Sequence, residues 1–173
     1  TKAYFLGDAP GSFGSGVFYG ASHSFSIYYW SGSAGFTSPF WQGYPAQMVN
    51  GLPSAVASWL VDHGFYLDTD LSQDINGDGV ALLTAYALNL DPHEDLSNEL
   101  PQPVVDTHVM TLGITYYAGA EGIIYHVETS TDLETWTDSG VVVSPPDMEN
   151  QCTASIDMDS PTGFIRLRFW LMN

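Results

Sequence analysis

The first 61 residues hold a single acid, Asp8, a single base, Lys2, and 14 of the chain's 24 aromatic residues. Most of that aromatic content lies in one Gly- and Ser-rich ribbon, YFLGDAPGSFGSGVFYGASHSFSIYYWSGSAGFTSPFWQGYP, from Tyr4 to Pro45. A Phe, Tyr or Trp side chain removes roughly 150–250 Å² from water when it packs, and an unscreened ribbon of them aggregates. The segment therefore has to pack, either on its own chain or on another copy. Short aromatic runs punctuated by Gly, Ser and Pro (GVFYG, HSFSIYYWSG, GFTSPFW) read as β-strands. Phe18, Tyr19, Phe25, Tyr28, Trp30 and Trp41 are the candidates for a contact between subunits or for a sugar-stacking platform.

The rest of the chain is its chemical opposite. The other 19 acids all lie from Asp62 onward, against Arg166 and Arg168 as the only later Lys or Arg, and the net charge is −17. Such a surface repels phosphate backbones and anionic lipid, so the sequence excludes nucleic acid and membrane surfaces as partners. No apolar run approaches the roughly 20 residues that a membrane helix needs. A chain poor in lysine and rich in carboxylates fits calcium-containing extracellular water, which sets the expected location as secreted or cell-surface. Thr1 follows no basic-apolar leader, as expected of a mature secreted form or a fragment. Cys152 is the only cysteine, so neither a disulfide framework nor a Cys-based zinc site is available.

Along the chain, LPSAVASWLVDHGF reads as a helix capped by Ser54, with Val56, Trp59, Leu60 and His63 at helical spacing and Gly64 as its stop. VALLTAYALNL makes a second short helix, ended by Asp91-Pro92. From Pro101 the pattern changes to period-two runs: VVDTHVMTLGITYY, GIIYHVETS, ETWTDSG, VVVS, CTASIDMD and FIRLRFWLM. Turn signals separate them at the spacing of an antiparallel β-sandwich of about six or seven strands. The expected fold is mainly β, an immunoglobulin- or fibronectin-like sandwich with two short helices around a loop and an aromatic N-terminal β segment. The expected divisions are 1–51, 52–100 and 101–173.

That loop, DINGDGV, carries hard oxygen ligands at the spacing a calcium ion uses. With Asp74 first, Asn76 is third, Asp78 fifth, Gly79 sixth, and Val80 seventh through its carbonyl. The twelfth position, where a bidentate acid belongs, is Ala85. An outside carboxylate, Asp70 or Asp91, is the expected replacement, and the missing ligand predicts a weak, structural site in the millimolar range of extracellular modules.

DINGDGVALLTAYALNLDP resembles the calcium loop of dockerin-like and thrombospondin type-3-like repeats, in the form that precedes C-terminal modules of secreted bacterial surface proteins. VETSTDLETW, Val127 to Trp136, is similar to the β-sandwich of those modules. The resemblance spans roughly residues 52–171 and implies an extracellular, calcium-assisted sandwich. It departs from dockerins in having one loop and Ala85, so it does not carry a cohesin partner.

No catalytic constellation is visible. His23, His63, His93, His108 and His126 are scattered, with no HExxH pair. The expectation is a structural protein without enzyme activity, and two forms of it stand open. In the favoured one, copies join head-to-tail into a pilus-like fibre, the neutral ribbon of one completing the sheet of the next by strand addition. In the alternative, the chain is a carbohydrate-binding or cell-surface attachment module of a larger secreted protein, with polysaccharide as its partner.

Overall fold

The computed structural model describes residues 1–49, 52–158 and 163–172. It is mainly β, with 33% of the chain in strands and 10% in two helices. Two compact units divide it, Thr1–Thr69 and Asp70–Asn173. This differs from the divisions expected at 51 and 100, the first of which ends at Gly51, outside the described residues.

In the first unit, β1 (Lys2–Phe5), β2 (Ser26–Trp30), β3 (Phe40–Trp41) and β4 (Tyr44–Val49) form one sheet in the order β1-β2-β4-β3. Two of its three pairings are parallel: Lys2 to Phe5 against Ser26 to Tyr29, and Ile27 to Trp30 against Ala46 to Val49. Only β3 and β4 form a hairpin, through Gln42 and Gly43. Both take positive φ (50° and 82°), as the tight turn matched to strand twist requires.

Alternation along β2 buries Ile27 and Tyr29, which meet Phe25, Trp41 and Ala46 in a core of the unit's own. The irregular segments supply further aromatics. Phe13 stands edge-on to Trp41 at 4.6 Å, Phe18 lies 4.5 Å from Phe25, and Phe36 stacks on Tyr29 at 4.8 Å. Gly35 is required where Ala9 crosses: its φ is +85°, and a Cβ there would stand 2.9 Å from that of Ala9. A second aromatic group, Tyr4, Tyr28 and Tyr66, sits with Lys2, whose ammonium bonds Asp68 at 2.9 Å.

Helix α1 spans Ser54–Asp62 and buries Val56, Ala57 and Leu60. Ser54 is its first residue, not its cap. Pro53 holds that place with no side-chain hydrogen bond, its fixed φ already suited to the entry. The expected stop is present, with Gly64 at φ +79°.

The second unit contains α2 (Leu82–Leu88) and six strands: β5 (Pro103–Asp106), β6 (Thr111–Tyr117), β7 (Ile123–Ser130), β8 (Val142–Val143), β9 (Gln151–Asp157) and β10 (Phe164–Leu171). A four-stranded sheet, β5-β6-β9-β8, faces a two-stranded sheet, β10-β7, and every pairing is antiparallel. Leu112, Ile114 and Tyr116 from β6 and Cys152 and Ala154 from β9 pack against Val127 of β7 and Ile165 of β10. Leu88 joins this core, which ties α2 to the sandwich. The Tyr125 hydroxyl donates to the Ala87 carbonyl at 2.6 Å, and its burial pushes its pKa up to about 12. Asn89 ends α2 in the left-handed region at φ 56°. The expected strand ETWTDSG is mostly loop, with Thr137 alone bridged to Thr129.

Candidate functional site

The loop that carries the calcium expectation opens the second unit. Asp74 accepts the Gly77 N–H at 2.8 Å and the Gly79 N–H at 2.9 Å, one on each oxygen. Asp78 accepts the Val80 N–H on Oδ1 (2.7 Å) and the Leu96 N–H on Oδ2 (2.7 Å), and the Leu96 bond is the main reason its carboxyl is held below the usual range. Asn76 bridges the loop outward, its Nδ2 donating to Asp78 Oδ2 (3.0 Å) and to the Glu94 carbonyl (2.6 Å). The two glycines, both at positive φ, bring these amides round to face the carboxylates.

Hard oxygens are the right donors for calcium, and Asp74, Asn76, Asp78 and the Val80 carbonyl lie within one tight turn. The two expected outside carboxylates make local turn bonds of the same kind as Asp74 and Asp78. Asp70 accepts from the Ser72 N–H and hydroxyl, and Asp91 accepts the His93 N–H. What approaches the loop instead is the segment 94–96, through the Glu94 carbonyl, the Leu96 amide and Asp95, whose carboxyl feels the charge of Asp78. The second acidic turn, DPHEDLSNE, was the available sequence signal for this. Among the described residues no group of three or more His, Cys, Asp or Glu side chains stands where it could hold a metal. Completing the coordination would fall to carbonyls, Asn76 Oδ1 and water.

The aromatic candidates separate by burial. Phe25 and Trp41 are core residues of the first unit, 6% and 5% exposed, and cannot serve as an open platform or contact. Trp41 also donates its indole N–H to the Gly35 carbonyl at 2.9 Å. Phe18, Tyr28 and Trp30 are half-buried among neighbours of their own unit. Tyr19 alone is open to solvent, at 94%.

A different constellation lies on the outward face of the β7–β10 pair. The register sets Glu128 opposite Arg166, His126 opposite Arg168 and Ile124 opposite Trp170. Arg166 bonds Glu128 Oε2 through Nε (2.8 Å) and its terminal nitrogen (2.7 Å), and Arg168 reaches the same oxygen at 3.6 Å. The far face of the Arg166 guanidinium lies 3.8 Å over the Trp136 ring. His126 Nε2 is 3.1 Å from Asp138, and its ring meets Trp170 edge-on at 6.2 Å. The result is a ladder of Trp136, Arg166, Glu128, Arg168, His126 and Trp170 that gathers both arginines of a strongly anionic chain. Arg166 holds the Glu128 carboxyl low, so that group acts as an ion-pair acceptor. Alternation in FIRLRFW and YHVETS places these residues on one face of each strand. Their convergence needs the pairing of strands nearly forty residues apart.

No helix among the described residues is long and apolar enough to cross a membrane. No family model, curated protein or solved structure matches the chain significantly. The resemblance to calcium-loop modules therefore rests on the residues quoted for it.

Proposed function

We propose that the chain is a non-catalytic extracellular attachment module that holds polysaccharide, braced by a structural calcium ion at the Asp74–Val80 loop. The observation that carries this reading is the ladder on β7 and β10. Trp170 offers an aromatic edge and face at 41% exposure, and Arg168 brings a guanidinium more than half open. Aromatic rings pack on the C–H faces of sugars, while guanidinium and carboxylate groups take their hydroxyls. Cross-strand pairing pins these side chains in advance, which lowers the ordering cost of binding. Calcium would be held by Asp74, Asn76, Asp78 and the Val80 carbonyl, where it would neutralise paired carboxylates and tie the loop to segment 94–96.

Assembly into fibres keeps one specific support, by a route other than the ribbon. The ribbon's strands pair with one another in their own sheet, and β5, an edge strand of the second unit's larger sheet, exposes Val104 and Val105 at 65% and 51%. Exposed apolar edges invite strand addition from another copy.

Co-sedimentation with a panel of insoluble polysaccharides, in millimolar calcium and in chelator, decides between them. Retention that Trp170→Ala and Arg168→Ala remove supports attachment. Sedimentation without any polysaccharide, lost in Val104→Lys, moves the reading to assembly. A soluble chain that no polysaccharide retains overturns the attachment reading.

A further inference from the structure

The sandwich is lopsided, four strands against two, and one end of the larger sheet's inner face is roofed by loop. There Leu112 and Ile156 stand opposite each other on β6 and β9, with Met158 following and Phe164 at the start of β10. The roof is the segment 131–139, held down by two hydrogen bonds between Thr129 and Thr137, at 2.8 and 3.0 Å, and by Asp132. Asp132 accepts the Glu134 and Thr135 amides and the Ser130 hydroxyl, bonds that hold its pKa at about 2. Between roof and sheet lies a cleft of about 320 Å³, open on one side.

Its two walls differ in kind. One is apolar, made by the four residues just named. The other is a bank of hydroxyls, from Thr129, Thr131, Thr135, Thr137 and Ser139, with Asp157 also lining the cleft. The Thr129 hydroxyl already donates to the Thr137 carbonyl, and the hydroxyls of the exposed roof residues can donate or accept by rotation. Among the described residues no Lys, Arg or His lines the space and the charged one is Asp157, so an anionic ligand is disfavoured. A single carboxylate among hydroxyls is also a poor cation site. The complementary ligand has a C–H face and a rim of neutral hydroxyls. At 320 Å³ the cleft is at the small end of ligand sites, room for one ring rather than an extended oligomer.

We infer that this cleft binds one pyranose unit of a neutral glycan, its C–H face on Ile156, Met158 and Phe164 and its hydroxyls on Thr131, Thr135, Thr137 and Ser139, with Leu112 closing the floor beneath. Thr135 and Thr137 flank Trp136, and Ser130 with Phe164 continues the same strand pair beyond Glu128 and Arg166. The cleft thus adjoins the end of the strand pair that carries the ladder, sharing Ser130 and Phe164 with it. The inference rests on the attachment reading and assigns its specificity pocket.

The test is a ¹H–¹⁵N titration of the full chain with glucose, galactose, mannose, xylose and N-acetylglucosamine, and with glucuronate as the anionic control. At least one neutral sugar should shift the amides of Thr131 to Ser139 together with Met158 and Gly163, and glucuronate should not. Gly163→Leu is the blocking variant. Gly163 needs no positive φ, and among the described residues a Cβ there would meet Leu112, at 3.5 Å, so the added side chain enters the cleft without backbone strain. It should weaken the sugar at least tenfold, and Thr135→Val several-fold, with the amide spectrum elsewhere unchanged.

Absence of shifts at the roof with every sugar, or unchanged affinity in Gly163→Leu and Thr135→Val, overturns the assignment. Polysaccharide retention that survives Gly163→Leu but not Trp170→Ala sinks the cleft alone. If the wild type retains no polysaccharide, the attachment reading fails, and the monosaccharide titration still decides the cleft.

Discussion

The two units solve the same packing problem with opposite materials. The first has almost no charge, short strands, two parallel pairings and a core of aromatic rings fed in from irregular segments. The second has antiparallel strands, a core largely of Leu, Ile, Val and Ala with Tyr116 among them, and nearly all the acids. Large rings compensate for the first unit's short ladders, because each covers the area of several aliphatic groups and contacts neighbours at a range of angles. In the second, regular alternation does the work.

The acids make the same point. In the second unit Asp70, Asp78, Asp91, Asp95, Asp106, Asp132 and Asp147 each accept the backbone N–H two residues on, and Asp74 does so three residues on. Many of these acids are therefore turn chemistry, placed in the loops around α2 and in the connections after β5, β7 and β8. They are neither a single solvated face nor, by themselves, a metal site.

Four experiments test this contrast. The largest effect should come from Trp41→Ala, which removes a ring contacted by Phe5, Phe13 and Phe36 and costs about 3–5 kcal/mol. Calorimetry should show the first unit's transition lost and the second's kept. A single transition that moves as a whole would mean the units do not fold separately.

Acid comes next. Asp70, Asp78, Asp95 and Asp132 have folded pKa values below their unfolded ones, so their contribution is complete above about pH 4. It disappears as pH falls through the folded values, toward about 2 for Asp132. Between pH 4 and 2 the second unit's melting temperature should fall further than that of the first, whose Asp68 is held low by Lys2. Equal losses would show that the turn carboxylates contribute little.

Calcium tests the same unit from the other side. With a dissociation constant near 1 mM, 10 mM calcium should add about 1.4 kcal/mol to the second unit and nothing to the first. Asp78→Ala should abolish the gain. No rise in melting temperature or protease resistance would remove calcium from the proposal.

The smallest effect is at the end of α2. Asn89→Ala should cost about 1 kcal/mol because φ is 56° there, while Asn89→Gly should be close to neutral. Equal costs for the two would point to the Asn89 side chain rather than its backbone.

The residues that could be read in advance were those whose signal is local. Period two in GITYY, YHVET and FIRLRFW marks strands because alternate side chains must face one core, and these became β6, β7 and β10. Asp74 to Gly79 is a turn by its own chemistry, ion or no ion. The division of the chain was less legible, because Tyr66 and Asp68 join the first unit through Tyr4 and Lys2, more than sixty residues away.

Local chemistry is enough to make the chain mainly β, to turn residues 74–79 on carboxylates, and to require that the aromatic ribbon pack. Each follows from a preference that acts within a few residues or from the cost of exposing rings to water. That the ribbon packs within its own unit, that both arginines share Glu128, and that four strands against two leave a hydroxyl-lined cleft emerge from the folded chain alone. Those are matters of register and layer count between distant segments, which local preference does not reach.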